Sequence, residues 1–263
     1  MNIPAASSVT HQHLLSTVLS EAMDRPELTI VDIGCGSGTL TRFLRDSIAI
    51  LRPEYTVKVT GFDVSDFAPD DNSNLSSDTA VIRSGEPWPY EDHSVDIMVS
   101  NQVLEHVSDE KFFFSEISRC VKKDGISIHL FPLKNVIWEG HVYVPLAHRI
   151  PSPGFIRMMS LIFGSEKGKN IPGGHEREFG ECAADYIRKY TAYRTMAELK
   201  KAATPYGLQV SFDYTPYFYT AKLRASLGRR PKFTYRSSPT FENLSCYALR
   251  YVSSITLVTR RIA

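Results

Sequence analysis

No apolar run in this sequence approaches the roughly 20 residues that a membrane-spanning helix needs. Cysteine is sparse as well: Cys35, Cys120, Cys182 and Cys246 lie far apart with no C-x-x-C spacing. That pattern fits neither a zinc site nor a disulfide framework, and reduced thiols in a cytoplasm are the plain expectation. Charge of one sign is not in excess, since 30 basic against 29 acidic residues leave a net charge of +1. A protein built around a nucleic-acid backbone carries a basic surplus, so no nucleic-acid partner is expected. The opening M-N-I-P-A-A-S-S has no basic stretch ahead of an apolar one, hence no secretory signal is read there. No H-x-x-H or paired-carboxylate spacing gathers metal ligands, and no repeat or low-complexity tract occurs.

What is present suits one large core, or one core with an inserted subdomain, in 263 residues of ordinary composition. Residues 10–23 predict a leading helix with Leu14, Val18 and Ala22 on one face. Leu28–Val31 is apolar and β-branched, as a buried strand requires, and 39–51 carries apolar residues at helical spacing. Further strands are predicted at 55–63, 79–83, 95–100, 126–131, 208–214 and 254–260, with a polar loop at 66–78. Helices are expected at 109–121, with Ser108 as N-cap, and at 195–203, while Lys122–Gly125 reads as a turn. Strands alternating with helices call for a doubly wound α/β fold on a parallel sheet. The alternation breaks after Pro132, which divides the chain into a core of 1–132 and 191–263 and an inserted segment, 133–190. A second insertion is read at 215–250, holding the basic residues Arg229, Arg230, Lys232 and Arg236.

The first predicted strand runs into V-D-I-G-C-G-S-G. Glycines behind a buried strand allow positive φ and let a ligand approach without meeting a Cβ. A dinucleotide fingerprint asks for G-x-G-x-x-G, but here Gly34, Gly36 and Gly38 alternate and its third position would be Thr39. Asp63 closes the second strand, where a carboxylate can accept from both hydroxyls of a ribose. The ends of the first, second and fourth strands meet at one crevice, the usual ligand site of such sheets.

The segments V-D-I-G-C-G-S-G-T (31–39), G-F-D-V-S (61–65), P-W-P-Y-E-D-H-S-V-D (87–96) and S-N-Q-V-L-E-H-V (100–107) occur in this order. Region 31–132 thereby resembles the class I S-adenosylmethionine-dependent methyltransferases. The resemblance implies a Rossmann-like mixed sheet of seven strands and S-adenosylmethionine as cofactor. It implies that Gly34, Gly36 and Gly38 pass under the methionyl part and ribose, and that Asp32 holds the methionyl ammonium or braces the loop. Asp63 would bind the ribose hydroxyls and Val64 pack on the adenine. Ser84 or Glu86, beside Gly85, or only the backbone here, would meet the adenine amino group, since this stretch departs from the common pattern. Asn101 and Gln102 would face the methionyl and sulfonium region.

Methyl transfer from a sulfonium is a direct displacement, and it needs alignment and a dry site more than a Lewis acid. Metal-independent activity is therefore expected. Candidate bases are Glu105, His106, Glu139, His141 and His148, with His106 first because it follows the fourth strand and titrates near working pH. His141 is the insert's candidate. Residues 133–190 are expected to form a mostly helical lid over the crevice, in which 155–163 closes over the site or docks on a membrane or lipid-linked substrate. The segment S-N-Q-V differs from the N-P-P-Y-like motif of enzymes that methylate base amino groups. The expected reaction is O-methylation of a sugar, lipid-linked intermediate or other hydroxylated metabolite, with N- or C-methylation left open. A catalytically silent cofactor-binding protein or partner subunit is the alternative, with a nicotinamide-dependent oxidoreductase behind it.

Overall fold

The computed structural model of the chain describes residues 8–22, 25–64, 78–164, 179–229, 244 and 247–262. Most of the polar loop expected at 66–78, the basic residues Arg230, Lys232 and Arg236, and Cys246 lie outside the described residues.

Seven strands form one sheet: β1 Glu27–Ile33, β2 Thr56–Val64, β3 Thr79–Ile82, β4 Val95–Asn101, β5 Val121–Phe131, β8 Leu208–Ser211 and β9 Ile255–Arg261. Their order is β3-β2-β1-β4-β5-β9-β8. The first five pair in parallel, while β9 runs antiparallel to both β5 and β8. The sheet is thus mixed, as the resemblance implied. Its order reverses between β1 and β4, so loops leaving these two strands part and a crevice opens at their carboxyl ends.

Helices cover both faces because alternate strand residues are apolar in both directions. On one face, Ile30, Ile97, Val99, Ile128 and Leu130 pack with Leu14 and Val18 of α1 (Val9–Ala22), Leu44 and Ile48 of α2 (Thr39–Leu51) and Phe218 of α7 (Thr215–Ser226). On the other, Val31, Ile33 and Met98 meet Phe113, Phe114 and Ile117 of α3 (Glu110–Cys120) and Leu199 and Ala203 of α6 (Met196–Ala203). Each fully buried Leu, Ile or Phe contributes about 1.5–3 kcal/mol, so these two layers supply the principal driving force.

Four expectations need correction. The cap of α3 is Asp109, not Ser108: its carboxylate accepts from the Lys111 and Phe112 backbones at 3.1 and 3.0 Å. Lys122–Gly125 is not a turn but part of β5, extended across a register irregularity while Lys122 reaches Asp96 at 2.8 Å. Residues 215–226 are not insertion but the core helix α7, whose Thr215 hydroxyl accepts from the Thr256 backbone at 3.0 Å. The strand expected at 208–214 ends at Ser211, because the chain then turns to start α7.

Within 133–190 the described residues form a two-stranded ribbon, β6 Trp138–Glu139 with β7 Val144–Pro145, and two helices, α4 Pro153–Phe163 and α5 Phe179–Tyr190. They bury a small core of their own, including Val142, Val144, Ile156, Ala184 and Ile187.

Candidate active site

β1 is buried from Leu28 through Ile33 apart from a half-buried Thr29, and this carries Asp32 into the interior and delivers the glycine loop at the sheet's edge. Gly34, Gly36 and Gly38 all have positive φ, at 66°, 51° and 73°. At Gly34 a second reason operates, because a Cβ there would lie 2.4 Å from Val103. Glycine is required at that position by conformation and by space.

Two carboxylates back this loop. Asp32 is fully buried and accepts from the Thr41 hydroxyl at 2.8 Å. Burial pushes its pKa up to about 7, the Thr41 hydrogen bond opposing and the nearby Asp63 charge adding to the rise. Asp63 accepts from the backbone of Gly36 at 2.7 Å with one oxygen and from that of Val64 at 2.7 Å with the other. Burial raises its pKa too, against those two hydrogen bonds. Asp63 therefore ties the end of β2 to the glycine loop.

In front of the loop lies a cleft of about 680 Å³, within the range of small-molecule sites. Gly34, Val64, Ser84 and Gly85 line it together with His106, Lys189 and Tyr190, and Phe62, Trp88 and Phe113 are among its apolar residues. Asp32, Gly36, Gly38, Asp63, Glu86, Asn101, Gln102 and His141 are not among the residues that line it.

Two of the expected cofactor contacts are otherwise engaged. Glu86 is exposed and accepts from the Arg83 backbone at 3.1 Å, closing its own turn, while Ser84 and Gly85 face the cleft. Gln102 takes a positive φ of 57° and donates its side chain to the Leu130 carbonyl and the Ser254 hydroxyl, which fixes it to β5 and to the residue before β9. Asn101 behaves differently: its buried Oδ1 has no hydrogen-bond partner among the described residues.

Around His106 the fold brings together segments that are distant in sequence. His106 Nδ1 lies 2.6 Å from the Tyr190 carbonyl, which can only accept, so that nitrogen carries the proton. His141 Nδ1 lies 2.6 Å from a Glu139 oxygen that also accepts from the Tyr193 hydroxyl at 2.6 Å. The other Glu139 oxygen accepts from the backbones of His141 and Val142 at 2.8 and 2.7 Å. These hydrogen bonds outweigh burial and hold the Glu139 pKa low; its hydrogen bond and charge in turn outweigh burial and raise that of His141. The two Nε2 atoms of His106 and His141 face each other at 3.1 Å. Beside them Glu105 is 1% exposed, and neither of its oxygens has a hydrogen-bond partner among the described residues. Burial, opposed by hydrogen bonding at its own backbone and by the His141 charge, lifts the Glu105 pKa to about 8.

The fold thus unites His106, His141, Glu105 and Glu139, but not His148, whose Nε2 contacts the Lys134 carbonyl at 3.0 Å. Sequence reasoning missed Tyr190, Tyr193 and Arg194. Arg194 donates to the Val107 and Ser108 carbonyls and to Glu110, pinning the loop that carries His106. No local pattern marks these three, because each acts through long-range contacts. Of the insert's helices, α5 reaches the cleft and α4 does not line it.

Comparison with known proteins gives likenesses of family and fold. The methyltransferase-domain family matches residues 31–129. The malonyl-[acyl-carrier protein] O-methyltransferase of Hahella chejuensis is 30% identical over 114 residues, covering 42% of this chain and 38% of that protein. The match therefore spans about two fifths of that relative's length. Among solved structures, an S-adenosylmethionine-dependent methyltransferase from Mesorhizobium loti superposes with a TM-score of 0.51 at 14% identity, covering 97% of this chain and 100% of its own. A methyltransferase from Haloferax volcanii, solved with its activator, gives 0.50 at 19% identity over 97% and 90%. Both likenesses are of fold. Residues 31–129 are thus similar to the methyltransferase-domain family, within a chain whose fold is that of solved S-adenosylmethionine-dependent methyltransferases.

Proposed function

We propose that this protein transfers the methyl group of S-adenosylmethionine to a hydroxyl of a small molecule: a sugar, a lipid-linked intermediate or another hydroxylated metabolite. The observation that carries the reading is the polar cluster of Glu105, His106 and His141, whose His106 lines the same cleft as Gly34 of the glycine loop. The residues present fit the cofactor. Asp32, a buried carboxyl behind the loop, is suited to an ammonium; Asp63 retains lone pairs for ribose hydroxyls; the unpartnered Asn101 Oδ1 suits a polar group of the methionyl part. Val64 flanks the adenine position, and Ser84 with Gly85 closes it.

When bound, the cofactor supplies a methyl carbon made electrophilic by its sulfonium. An acceptor oxygen forms the new bond as the carbon–sulfur bond breaks, its electron pair stays on sulfur, and the hydroxyl proton is lost at the imidazole wall. His106 and His141 activate the hydroxyl there, with Glu139 and the Tyr190 carbonyl fixing the two rings. Residues 133–190 act as the lid and acceptor-selecting segment, since Lys189 and Tyr190 from α5 already border the cleft. Exposed Leu161, Ile162 and Phe163 at the end of α4, at 76%, 65% and 51%, favour an acceptor that carries a lipid, or contact with a membrane surface. The printed name of the Hahella relative, an O-methyltransferase, supports oxygen as the accepting atom. Free Cys35, Cys120 and Cys182 support a cytoplasmic setting.

Incubation with methyl-labelled cofactor and a metabolite extract, read by mass spectrometry, tests the reading: a metabolite should gain one labelled methyl on oxygen. Binding of cofactor with no labelled product from any extract would instead mark a silent binding protein. Asp63→Ala should weaken S-adenosylmethionine binding by about 1.5–3 kcal/mol through lost charged hydrogen bonds. Calorimetry finding undiminished affinity would reject this placement of the ribose.

A further inference from the structure

We propose that Glu105, His106 and His141 form a binding site for one divalent transition-metal ion, of the zinc or cobalt class, at the acceptor end of the cleft. The ion's role in turnover rests on the methyl-transfer reading above; its binding does not. Spacing along the chain gave no hint of such a site, because its ligands come from the loop after β4 and from the β6–β7 ribbon of the insert.

His106 gives its Nδ1 proton to a carbonyl and His141 gives its own to Glu139, which turns the two Nε2 atoms toward each other across 3.1 Å. Two ring nitrogens facing at that distance need a positive centre between them, a proton or a metal ion. With metal–nitrogen bonds of about 2.0–2.1 Å, a 3.1 Å nitrogen separation corresponds to an angle of roughly 100° at the ion. That lies between octahedral and tetrahedral geometry.

Glu105 is 1% exposed, and both oxygens lack hydrogen-bond partners among the described residues. Burying a carboxylate without compensation is costly, and buried charges are paired or bind metals. One ligand atom from each of Glu105, His106 and His141 lies within 4.8 Å of the others. A shared proton between the imidazoles would leave this carboxylate unserved, whereas a cation meets all three groups at once.

The surroundings match the way proteins orient imidazole ligands. Each ring's other nitrogen is held by an oxygen, Tyr190 carbonyl for His106 and Glu139 for His141, which fixes tautomer and direction. Two imidazoles and one carboxylate suit zinc, cobalt, manganese or iron over magnesium or calcium, which prefer all-oxygen sites. His106 lines the cleft, so remaining coordination positions open toward the acceptor. With the ion bound both Nε2 atoms are coordinated, so the imidazoles act by holding the ion instead of taking the proton: a hydroxyl ligated there would lose its proton more readily, to water at the cleft's open side.

Full-length protein, stripped with chelator and dialysed, is titrated with Zn²⁺ by calorimetry and with Co²⁺ by visible absorption. One equivalent should bind, the cobalt form showing ligand-field bands characteristic of nitrogen and oxygen ligands, with Mg²⁺ in similar amounts failing to compete. Glu105→Gln, which keeps size and shape, should weaken binding by about 100-fold; Glu139→Gln, acting through His141, by about 10–100-fold. His141→Ala is a further variant, with circular dichroism checking that each is folded. Absence of saturable binding, or wild-type affinity in folded Glu105→Gln, would overturn the site. Stripped protein that takes up no ion yet still methylates its acceptor sinks the metal proposal and leaves the methyl-transfer reading standing. Stoichiometric uptake lost in Glu105→Gln supports the site even if no acceptor is found.

Discussion

Replacing His106 by alanine should lower turnover by about 10²–10⁴-fold, the range for a positioned group that handles the acceptor's proton, while cofactor affinity changes little. The separation follows from place: His106 lines the cleft, held by the Tyr190 carbonyl of α5 and facing His141 at 3.1 Å, whereas Asp63 is tied to the glycine loop through Gly36. Single-turnover rates with saturating acceptor, set beside calorimetric binding of the cofactor, provide the measurement. His141→Ala should follow the same pattern, since its ring is the partner of His106 Nε2. Turnover within tenfold of wild type in folded His106→Ala would remove this pair from the chemistry. A variant that loses cofactor affinity and keeps its rate at saturation would move His106 to the cofactor side.

The second large effect concerns Asp32. A buried carboxyl whose pKa rises from 3.8 to about 7 on folding is protonated in the folded chain while still ionised in the unfolded one between those values. Below about pH 4 the group costs nothing; as pH rises toward 7 the cost accumulates, and above 7 it is complete. Three pKa units correspond to roughly 4 kcal/mol as an upper figure. Asp32→Asn keeps an acceptor for the Thr41 hydroxyl and removes the charge. The variant without cofactor should therefore match wild type near pH 4 and exceed it by up to about 4 kcal/mol above pH 7. Cofactor affinity should fall in the same variant if Asp32 serves the methionyl ammonium, so stability and binding move in opposite directions. Urea unfolding at several pH values, with parallel calorimetry, checks both halves. A stability difference between wild type and Asp32→Asn that stays the same from about pH 4 to above pH 7 would show that Asp32 does not carry this cost.

Stability and function are coupled at this position in a way that loop sequence alone does not reveal. The Thr41 hydroxyl accommodates Asp32 only in part, and the Asp63 charge adds to the burden. A bound cation would relieve both, so cofactor binding is expected to stabilise the domain more at pH 7 than at pH 5.

The sequence by itself determined the elements that depend on local pattern. β1 and β4 are rich in apolar residues and largely buried, and α2 repeats apolar residues at helical spacing. The glycines at 34, 36 and 38 mark a loop in left-handed conformation, which no other residue adopts cheaply. Asp63 was legible for the same reason: its position at a strand's end follows from the strand. Tertiary structure decided whatever depends on a distant partner. Lys122–Gly125 holds polar residues and a glycine, yet it stays extended because Asp96 receives Lys122. Gln102 carries the polar side chain of a ligand contact, but Leu130 and Ser254 had already engaged it. Glu105, His106 and His141 gave no metal spacing because 35 residues separate the two histidines. Hydrogen bonds from Arg194, Tyr190 and Glu139 bring them to one point, and such contacts leave no periodic trace in a chain.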